Sequence, residues 1–275
     1  VHTKKIVAVA LAPAEPNVGV FADKFGDIFS VRLDDASISP TIRCGHFSPV
    51  SHMLFASHCA QLLSADREGH VRAACWPHTD VIEQFYLSHT TNVQIVLPIA
   101  PTRNVPALLV SANADGSQVC VFRYDGGELL YRTSSAELRL QWSQGSGEKF
   151  AALECAASCG TSCDERPSLV ALGFRGESAL FFAHVAEAAD AIEVVRNQTA
   201  RFALDACPLA LSCAGSALHV LTSESVVMLD VGGAGGVVRT IASVDISALL
   251  QSAAPACADS AEHDADADAR AAAKN

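Results

Sequence analysis

The sequence predicts an all-β fold built from repeated units, and three observations lead to this prediction. Helical periodicity is scarce across the 275 residues, whereas short runs rich in β-branched and aromatic residues recur between polar turns. Several of these runs share one pattern, an apolar strand followed by an acidic turn with glycine and an alternating strand. The turn aspartates Asp23, Asp66 and Asp115 lie 43 and 49 residues apart. A repeat of about 40–50 residues indicates a structure assembled from similar sheets.

Three units are well formed and carry most of the prediction. In chain order they are GVFADKFGDIFSVRL (19–33), QLLSADREGHVRAACW (61–76) and LLVSANADGSQVCVFRY (108–124). His46, after a glycine, precedes the second unit, and His89, after a serine, precedes the third at an interval of 43 residues. A Gly-His lead before a strand, an Asp turn and a second strand is typical of WD-repeat β-propeller blades. The Trp-Asp dipeptide itself is absent, so the prediction depends on period and composition.

Two weaker units follow, SLVALGFRGESALFFAHV (168–185) and ALHVLTSESVVMLDV (217–231), and neither has a Gly-His lead. The sequence therefore predicts a WD-repeat β-propeller with about five visible blades, within the usual range of about four to eight. Residues 133–149 and 186–200 are interpreted as connections between blades, the second partly helical. Because the chain starts at Val1 and enters a strand-like segment almost at once, we expect N-terminal blades to be missing.

The domain organisation follows from composition. Residues 1–251 are predicted to form the partial propeller. Residues 252–275 are a low-complexity Ala/Asp-rich segment without β-branched residues, which predicts disorder. No stretch approaches the roughly 18 consecutive apolar residues of a membrane span, and no secretory signal is recognised. We therefore expect the ten cysteines to be free thiols and a membrane not to be a partner.

Net charge and motifs restrict the function classes. The formal net charge is −11, which disfavours stand-alone binding of nucleic acid, because attraction to phosphates supplies most non-specific affinity. An acidic chain is better suited to a basic protein partner. No nucleophile elbow and no phosphate-binding or dinucleotide-binding glycine motif follows a strand, so we predict neither catalysis nor a bound cofactor.

A cysteine cluster raises the question of a metal site. Cys155, Cys159 and Cys163 form a C-x3-C-x3-C pattern, whereas structural zinc sites usually combine two cysteine pairs. Because no fourth ligand is evident, free thiols are the favoured interpretation, and a metal site is the alternative.

The charged turns are the candidate functional feature. Asp23-Lys24 and Asp66-Arg67-Glu68 occupy equivalent positions in successive units. Equivalent turns of adjacent propeller blades emerge side by side on one face, so Lys24 and Arg67 are predicted to be neighbours there. The aspartates and the two histidines have a structural explanation, namely hydrogen bonds that brace each blade. The basic side chains are either solvated turn residues or a docking patch for a partner's carboxylates.

The order of these motifs resembles one known family. The segments ADKFGDIFSV, LLSADREGHVRAACWPH, IEQFYLSHTTNV and ANADGSQVCVFRYDGGELL are similar to those of the WD-repeat non-catalytic subunits of eukaryotic tRNA (guanine-N7-)-methyltransferases. The ADK and ADR turns are the specific part, because ordinary WD blades carry S-x-D-G there. The resemblance covers residues 19–130 well and KFAALECAA (149–157) more weakly.

The resemblance implies a seven-bladed propeller without an active site. Its expected partner is a catalytic subunit that uses S-adenosylmethionine to methylate N7 of a guanosine in the tRNA variable loop. In this heterodimer the propeller is expected to stabilise the catalytic subunit, to meet tRNA only through it, and to bind no cofactor or metal. The expected location is the nucleus, with the cytoplasm as a second location. The alternative is a generic WD-repeat scaffold for another complex.

Carried over to this sequence, the resemblance places Lys24 and Arg67 on the partner face, where both would pair with acidic groups of the methyltransferase. The residues implied to support the two turns are Asp23, Asp66, Glu68 and Arg72.

One departure from the family concerns the interface. The family usually has a basic residue shortly after the segment that corresponds to SHTTNV, where this chain has Gln94 and Ile95. One docking salt bridge is therefore expected to be missing or to be replaced, with Arg103 as the candidate. The third unit also carries one extra residue before Val119.

Overall fold

The computed structural model describes residues 2–13, 15–56, 60–101, 106–140, 152–159, 169–188, 191–214, 216–231 and 239–246. These residues form five four-stranded antiparallel sheets and one short helix. Within each sheet the four strands lie in chain order, so each sheet is a meander of consecutive strands. Such sheets are the blades of a β-propeller, which confirms the predicted all-β fold with about five visible blades.

The strands of the five blades follow one another along the chain without a crossover. Blade 1 contains β1 (Ile6–Leu11), β2 (Val18–Asp23), β3 (Asp27–Arg32) and β4 (Thr41–Gly45). Blade 2 contains β5 (Val50–Phe55), β6 (Gln61–Asp66), β7 (His70–Cys75) and β8 (Ile82–Leu87). Blade 3 contains β9 (Val93–Ile99), β10 (Leu108–Asn113), β11 (Val119–Arg123) and β12 (Leu129–Thr133), followed by α1 (Ser135–Leu140). Blade 4 contains β13 (Leu153–Cys159), β14 (Leu169–Phe174), β15 (Ala179–Ala188) and β16 (Ala191–Ala203). Blade 5 contains β17 (Pro208–Ala214), β18 (Ala217–Thr222), β19 (Ser225–Asp230) and β20 (Arg239–Asp245).

The second strand is fully or almost fully buried in blades 1 to 4. Every residue of β2, β10 and β14 is buried, and in β6 only Gln61 is partly exposed. Because these strands are buried on both faces, their sequences are runs of apolar and small residues without alternation. The outer strands β4 and β8, by contrast, face solvent along most of their length.

Among the described residues the apolar core is divided into four clusters, each between two consecutive blades. Between blades 2 and 3, for example, the side chains of Leu63, Tyr86 and Phe122 are almost fully buried. Burying an apolar side chain of this size contributes roughly 1.5–3 kcal/mol. The stacking of blade on blade therefore supplies the hydrophobic stabilisation of the described part.

The first strands of the blades lie on the inside of the arrangement. Contacts join β1 to β5, β5 to β9, β9 to β13 and β13 to β17, and among the described strands no contact of similar extent joins β17 to β1. The first strands of blades 2 to 5 border a cavity of about 460 Å³ whose lining includes His52 and Cys213. His52 Nδ1 accepts the Val96 amide at 3.1 Å, and burial lowers the pKa of His52 to about 4. This histidine is therefore neutral at physiological pH.

Residues 186–200 differ from the interpretation of the sequence. They belong largely to β15 and β16, which pair antiparallel in registers such as Val185↔Val194 and Glu187↔Ile192. The expectation of a partly helical connection is therefore wrong. The β-branched residues Ile192, Val194 and Val195 favour a strand once β15 is available for pairing, and this pairing outweighs the helical propensity of the nearby Ala and Glu residues.

The cysteine cluster is only partly described, because Cys163 lies outside the described residues. Cys155 is buried, and its burial raises the pKa of the thiol to about 12. A metal ligand must be a thiolate, so this environment disfavours Cys155 in that role.

Two further expectations fall outside the described residues, namely the disorder of 252–275 and the role of Arg103. Among the helices that the structure describes, none has the length and apolar character needed to cross a membrane.

Candidate protein-docking face

Two tight turns at one end of the blades carry the candidate docking residues. The β2–β3 turn begins at Asp23 and the β6–β7 turn at Asp66, each the last residue of its strand. In both turns the carboxylate Oδ1 accepts the amides two and four residues later, at 2.9–3.1 Å. These bonds satisfy amides that the strand ladder leaves free at a turn, and they confirm that the aspartates brace the turns.

Gly26 and Gly69 close these turns at φ of 96° and 95°, a region that other residues rarely adopt. A Cβ on Gly26 would lie 2.6 Å from the His46 carbonyl oxygen, and a Cβ on Gly69 would lie 2.6 Å from the His89 carbonyl oxygen. The turn of one blade is therefore pressed against the loop that enters the next blade. Glycine is needed here both for backbone angle and for space.

One backbone hydrogen bond defines equivalent turn positions in four blades. The amide of the first residue after the second strand donates to the carbonyl directly before the first strand of the same blade. Lys24 makes this bond at 3.0 Å, Arg67 at 3.2 Å, and Ala114 and Arg175 at 2.9 and 2.8 Å. The predicted equivalence of Lys24 and Arg67 is confirmed, and Arg175 is a further basic residue in the same position.

Blade 3 corrects one part of the repeat as predicted from sequence. The last residue of β10 is Asn113, and its carbonyl accepts the Gly116 amide at 3.1 Å, as the turn aspartates of blades 1 and 2 accept a glycine amide. Asn113, and not Asp115, is therefore their equivalent, and the true spacings are 43 and 47 residues. Asp115 lies within a longer turn, where its carboxylate accepts the Ser117 amide at 2.9 Å.

A chain of hydrogen bonds runs across blade 2 to the Asp66 turn. His46 Nδ1 lies 3.2 Å from Asp66 Oδ2, and His46 Nε2 lies 2.8 Å from Ser64 Oγ. Because an ionised carboxylate can only accept, Nδ1 carries the proton and Nε2 accepts the Ser64 hydroxyl. Arg72 Nε donates to Ser64 Oγ at 3.4 Å, and Arg72 Nη2 donates to the Gly45 carbonyl at 3.0 Å. Arg72 thus donates to Ser64, Ser64 donates to His46, and His46 donates to Asp66.

The Ser64–His46–Asp66 cluster has the connectivity of a catalytic triad but lacks its accessibility and basicity. The side chains of His46 and Asp66 are each 3% exposed, and Ser64 is buried. Burial lowers the pKa of His46 to about 4, and the charge of Arg72 adds to this effect. A general base at neutral pH needs a pKa closer to about 7. The cluster therefore braces the blade and does not offer a reactive group to a substrate.

Asp66 is ionised within this network. Burial alone would raise its pKa, but hydrogen bonds from the amide and ring of His70 and from the ring of His46 outweigh burial and hold the pKa below its ordinary value. His70 Nδ1 lies 3.0 Å from Asp66 Oδ2, and its side chain is 51% exposed. Glu68 is exposed on the same turn, so the turn presents charges of both signs to solvent.

Blades 1 and 3 contain variants of this network. His2 and His89 each stand four residues before the first strand of their blade, as His46 does. His89 Nε2 lies 2.7 Å from Ser111 Oγ, which confirms a bracing role for this histidine. In blade 1 the His2 ring packs on the Phe21 ring with centroids 5.0 Å apart, and His2 Nε2 lies 3.7 Å from Asp23 Oδ2. Sequence reasoning missed His2, since no glycine precedes it.

Lys4 compensates the acidic turn of blade 1. Its Nζ lies 3.2 Å from Asp23 Oδ2, 3.5 Å from Asp27 Oδ2 and 4.8 Å from the Phe25 ring centroid. Burial would raise the pKa of Asp23, but hydrogen bonds from the Phe25 amide and from Lys4 hold that pKa below its ordinary value. Sequence reasoning also missed Lys4, because it belongs to a loop whose residues differ from blade to blade.

Lys24 and Arg67 occupy the same position but have different surroundings. Arg67 is exposed, and its side chain makes no hydrogen bond or ion pair with any residue that the structure describes. Lys24 is partly buried, and its Nζ lies 5.4 Å from the Phe25 ring centroid. The Arg67 guanidinium therefore keeps its donors available for a partner.

Arg175 connects blade 4 to blade 3 on this face. Its Nε donates to Glu154 Oε2 at 2.7 Å, and its Nη2 donates to Gln94 Oε1 at 3.3 Å. Gln94 is the residue found where the sequence comparison led us to expect a basic side chain. The Arg175 guanidinium provides a positive charge beside Gln94, but it comes from the turn of the next blade. Sequence reasoning did not identify Arg175.

Relatives of the chain share one description. The chain is 30% identical over 162 residues to the human tRNA (guanine-N(7)-)-methyltransferase non-catalytic subunit WDR4, which covers 58% of this chain and 38% of that protein. It is 26% identical over 149 residues to the Xenopus laevis protein of the same description, which covers 54% of this chain and 36% of that protein. The match thus spans well under half of the length of these relatives.

A solved structure and a family profile complete the comparison. The β-propeller domain of Myceliophteria thermophila Cps50 (Swd1) superposes with a TM-score of 0.53 at 7% identity, covering 80% of this chain and 67% of that chain. At this identity the likeness concerns the fold alone. The profile described as tRNA methyltransferase TRM82 WD40 domain matches residues 34–231, which include the Arg67 turn. The chain therefore belongs to the tRNA methyltransferase TRM82 WD40-domain family.

Proposed function

We propose that the chain is part of a non-catalytic subunit that binds and stabilises the catalytic subunit of a tRNA N7-guanine methyltransferase. Membership of the TRM82 WD40-domain family and the descriptions of the relatives support this proposal. In the proposed heterodimer the catalytic subunit forms N7-methylguanosine in the tRNA variable loop. The proposed location is the nucleus.

The observation that carries the proposal is the pair of basic residues on equivalent turns, Lys24 and Arg67. Asp23 and Asp66 already satisfy the amides of these turns, so the turns do not need a basic side chain for their own stability. A partner surface with carboxylates at matching positions would pair with both cations. A guanidinium such as that of Arg67 can bind a carboxylate through two parallel hydrogen bonds, which adds geometric specificity.

The charge of the chain favours indirect contact with tRNA. A net charge of −11 repels a phosphate backbone. The buried Ser64–His46–Asp66 cluster is inaccessible to a substrate. In the proposed division of roles, the catalytic subunit binds S-adenosylmethionine and tRNA, and the propeller contributes a rigid surface that holds the catalytic subunit in its active conformation.

The end of the blades that carries the Lys24 and Arg67 turns is called the docking face. Charge reversal on this face tests the proposal. The chain is co-expressed with the cognate catalytic subunit, and complex formation and tRNA methylation are measured for the wild type and for the double variant Lys24→Glu, Arg67→Glu. We expect the wild type to form a stable complex and the double variant to lose at least ~10-fold in affinity, as for other close interfacial charge pairs. The matched control is the double variant Arg32→Glu, Arg123→Glu, whose arginines lie at the opposite ends of their strands.

The outcomes separate the possible errors. A double variant that binds as tightly as the wild type would show that the docking face is wrongly placed. A wild-type chain that captures no methyltransferase subunit, but proteins unrelated to tRNA, would replace the proposal with a general WD-repeat scaffold. The control variant should retain both affinity and methylation.

A further inference from the structure

Phe47 is the most exposed large apolar side chain of the described residues. Its relative exposure is 108%, and Phe25, on the turn of the preceding blade, is 57% exposed. Single exposed apolar residues are common on protein surfaces and need no functional explanation by themselves. These two differ because both lie on the face that carries Lys24 and Arg67.

The backbone that carries Phe47 is fixed at both ends. The His46 amide donates to the Gly26 carbonyl at 2.9 Å, which ties the loop to the β2–β3 turn. The Pro49 carbonyl accepts the Arg67 amide at 3.2 Å, which ties the loop to the β6–β7 turn. Phe47 therefore lies between the two turns that carry the candidate docking cations.

The residues on either side of Phe47 are held inward. The side chain of His46 is enclosed in the blade 2 network, and Ser48 is 5% exposed. Phe47 is thus presented outward from a loop whose neighbours cannot rotate out with it. Because the loop backbone is already fixed, binding would have to order only the rotamer of the ring, which favours affinity.

Phe25 has a cationic environment. The ammonium groups of Lys4 and Lys24 lie 4.8 and 5.4 Å from the centroid of its ring, within the range of cation–π interaction. The ring is therefore oriented by its neighbours while more than half of it stays exposed. Phe25 and Phe47 form the apolar part of a surface whose charged part is Lys24 and Arg67.

We propose that Phe47, supported by Phe25, is the apolar anchor of the docking face and inserts into an apolar pocket flanked by carboxylates on the catalytic subunit. This inference rests on the proposed function, which supplies the partner. Interfaces derive most of their affinity from a few aromatic and arginine side chains that become fully desolvated. Phe47 beside Arg67 provides both kinds of side chain on one fixed loop and turn.

A single-stranded RNA is the other class of ligand that an aromatic ring between basic residues can bind, by stacking on a base. The charges on this face favour a protein. Glu68 is exposed and Asp27 is partly exposed on the same two turns, and Lys4 is engaged by Asp23 and Asp27. These carboxylates would repel phosphates, whereas a protein surface can place cations opposite them.

The test measures the dissociation constant of the full chain for the cognate catalytic subunit by calorimetry. Phe47→Ala is expected to weaken binding at least ~10-fold, as expected of an aromatic anchor, while Phe47→Trp retains binding. Thermal unfolding of Phe47→Ala should match the wild type, because the side chain is not packed against the fold. The matched control is Phe85→Ala, an aromatic residue on the outer strand β8 that is 45% exposed, and it should leave affinity within ~3-fold of the wild type because it lies outside the anchor.

Each outcome decides the inference. Binding by Phe47→Ala within ~3-fold of the wild type overturns the anchor but leaves the proposed heterodimer standing, because such a loss is too small for an anchor. Absence of binding by the wild type overturns the proposed function and the anchor together. In a separate arm, the isolated chain is titrated into a single-stranded RNA oligonucleotide, and binding that Phe47→Ala abolishes would assign the ring to RNA stacking instead.

Discussion

Ser64 Oγ donates a hydrogen bond to His46 Nε2 at 2.8 Å, and this bond joins the loop before blade 2 to its second strand. The same pairing recurs in blade 3, where His89 Nε2 lies 2.7 Å from Ser111 Oγ. In both blades the histidine is largely withdrawn from water and its pKa is lowered to about 4 by burial. The loops of the docking face are therefore held from beneath by neutral imidazoles.

Replacing His46 should destabilise the fold. His46→Ala removes one partner each from Ser64 and from Asp66, and leaving buried polar groups unpaired is expected to cost about 2 kcal/mol of unfolding free energy. Urea denaturation measures the effect. His70→Ala is the control, because His70 also contacts Asp66 but is half exposed, and its loss should cost under about 1 kcal/mol. Equal losses in the two variants would contradict the bracing role.

Acid should destabilise the protein before its carboxylates titrate. His46, His52 and His89 have pKa values of about 4 against an ordinary value of 6.5. Between pH 6.5 and 4 these histidines become protonated in the unfolded chain but stay neutral in the folded chain. The unfolding free energy is therefore at its highest above pH 6.5 and falls as the pH decreases towards 4. Each histidine accounts for up to about 3 kcal/mol of this loss. Urea midpoints measured from pH 7.5 to 4.5 test it, and a flat profile would contradict it. His89→Gln should make the decline shallower.

Comparing Gly69→Ala with Gly126→Ala should separate two contributions to stability, the close contact between blades and the strain of a left-handed backbone. The alanine would have a left-handed φ, which costs roughly 1–2 kcal/mol, and its Cβ would also meet the His89 carbonyl oxygen at 2.6 Å. Gly126 has a φ of 88° and nothing within 4 Å of its Cβ position, so Gly126→Ala suffers strain alone. We expect Gly69→Ala to be the more destabilising by thermal and urea unfolding. Similar losses of stability in the two variants would show that the loop before blade 3 can move away from the added Cβ at little cost.

Arg67 and Arg175 should contribute unequally to the proposed complex. Arg67 is uncompensated among the described residues, whereas the Arg175 guanidinium is already bound by Glu154 and Gln94. Arg67→Glu is therefore expected to weaken binding of the catalytic subunit by ~10-fold or more, and Arg175→Glu by only a few-fold. Titration calorimetry at low and high salt measures both effects. An equal or larger loss for Arg175→Glu would shift the centre of the interface towards blade 4.

The turns could be predicted from sequence because each depends on a local pattern. An aspartate ends a buried strand, and a glycine follows three residues later, as at Asp66 and Gly69. The pattern shifted in blade 3, where the longer turn placed Asp115 at the expected distance although Asn113 makes the equivalent contacts. A period counted on residue type alone cannot detect such an insertion.

The contacts between distant segments could not be predicted in this way. Lys4 reaches Asp23, and Arg175 reaches Gln94, through the arrangement of loops around neighbouring strands. The extended conformation of 191–203 likewise depends on pairing with β15, which outweighs the local preference of its Ala and Glu residues. Phe47 was overlooked because an exposed aromatic and a buried one look alike in a sequence.

The close approach of Gly26 to the His46 carbonyl also has a mechanical meaning. Because of this approach, blades 1 and 2 are closely packed at their boundary, on the same face that carries Lys24, Phe47 and Arg67. A protein bound to these residues would contact both blades across that boundary and oppose movement of one sheet relative to the other. Binding would then couple the unfolding of the two blades, so the propeller would gain rigidity from the subunit that it supports.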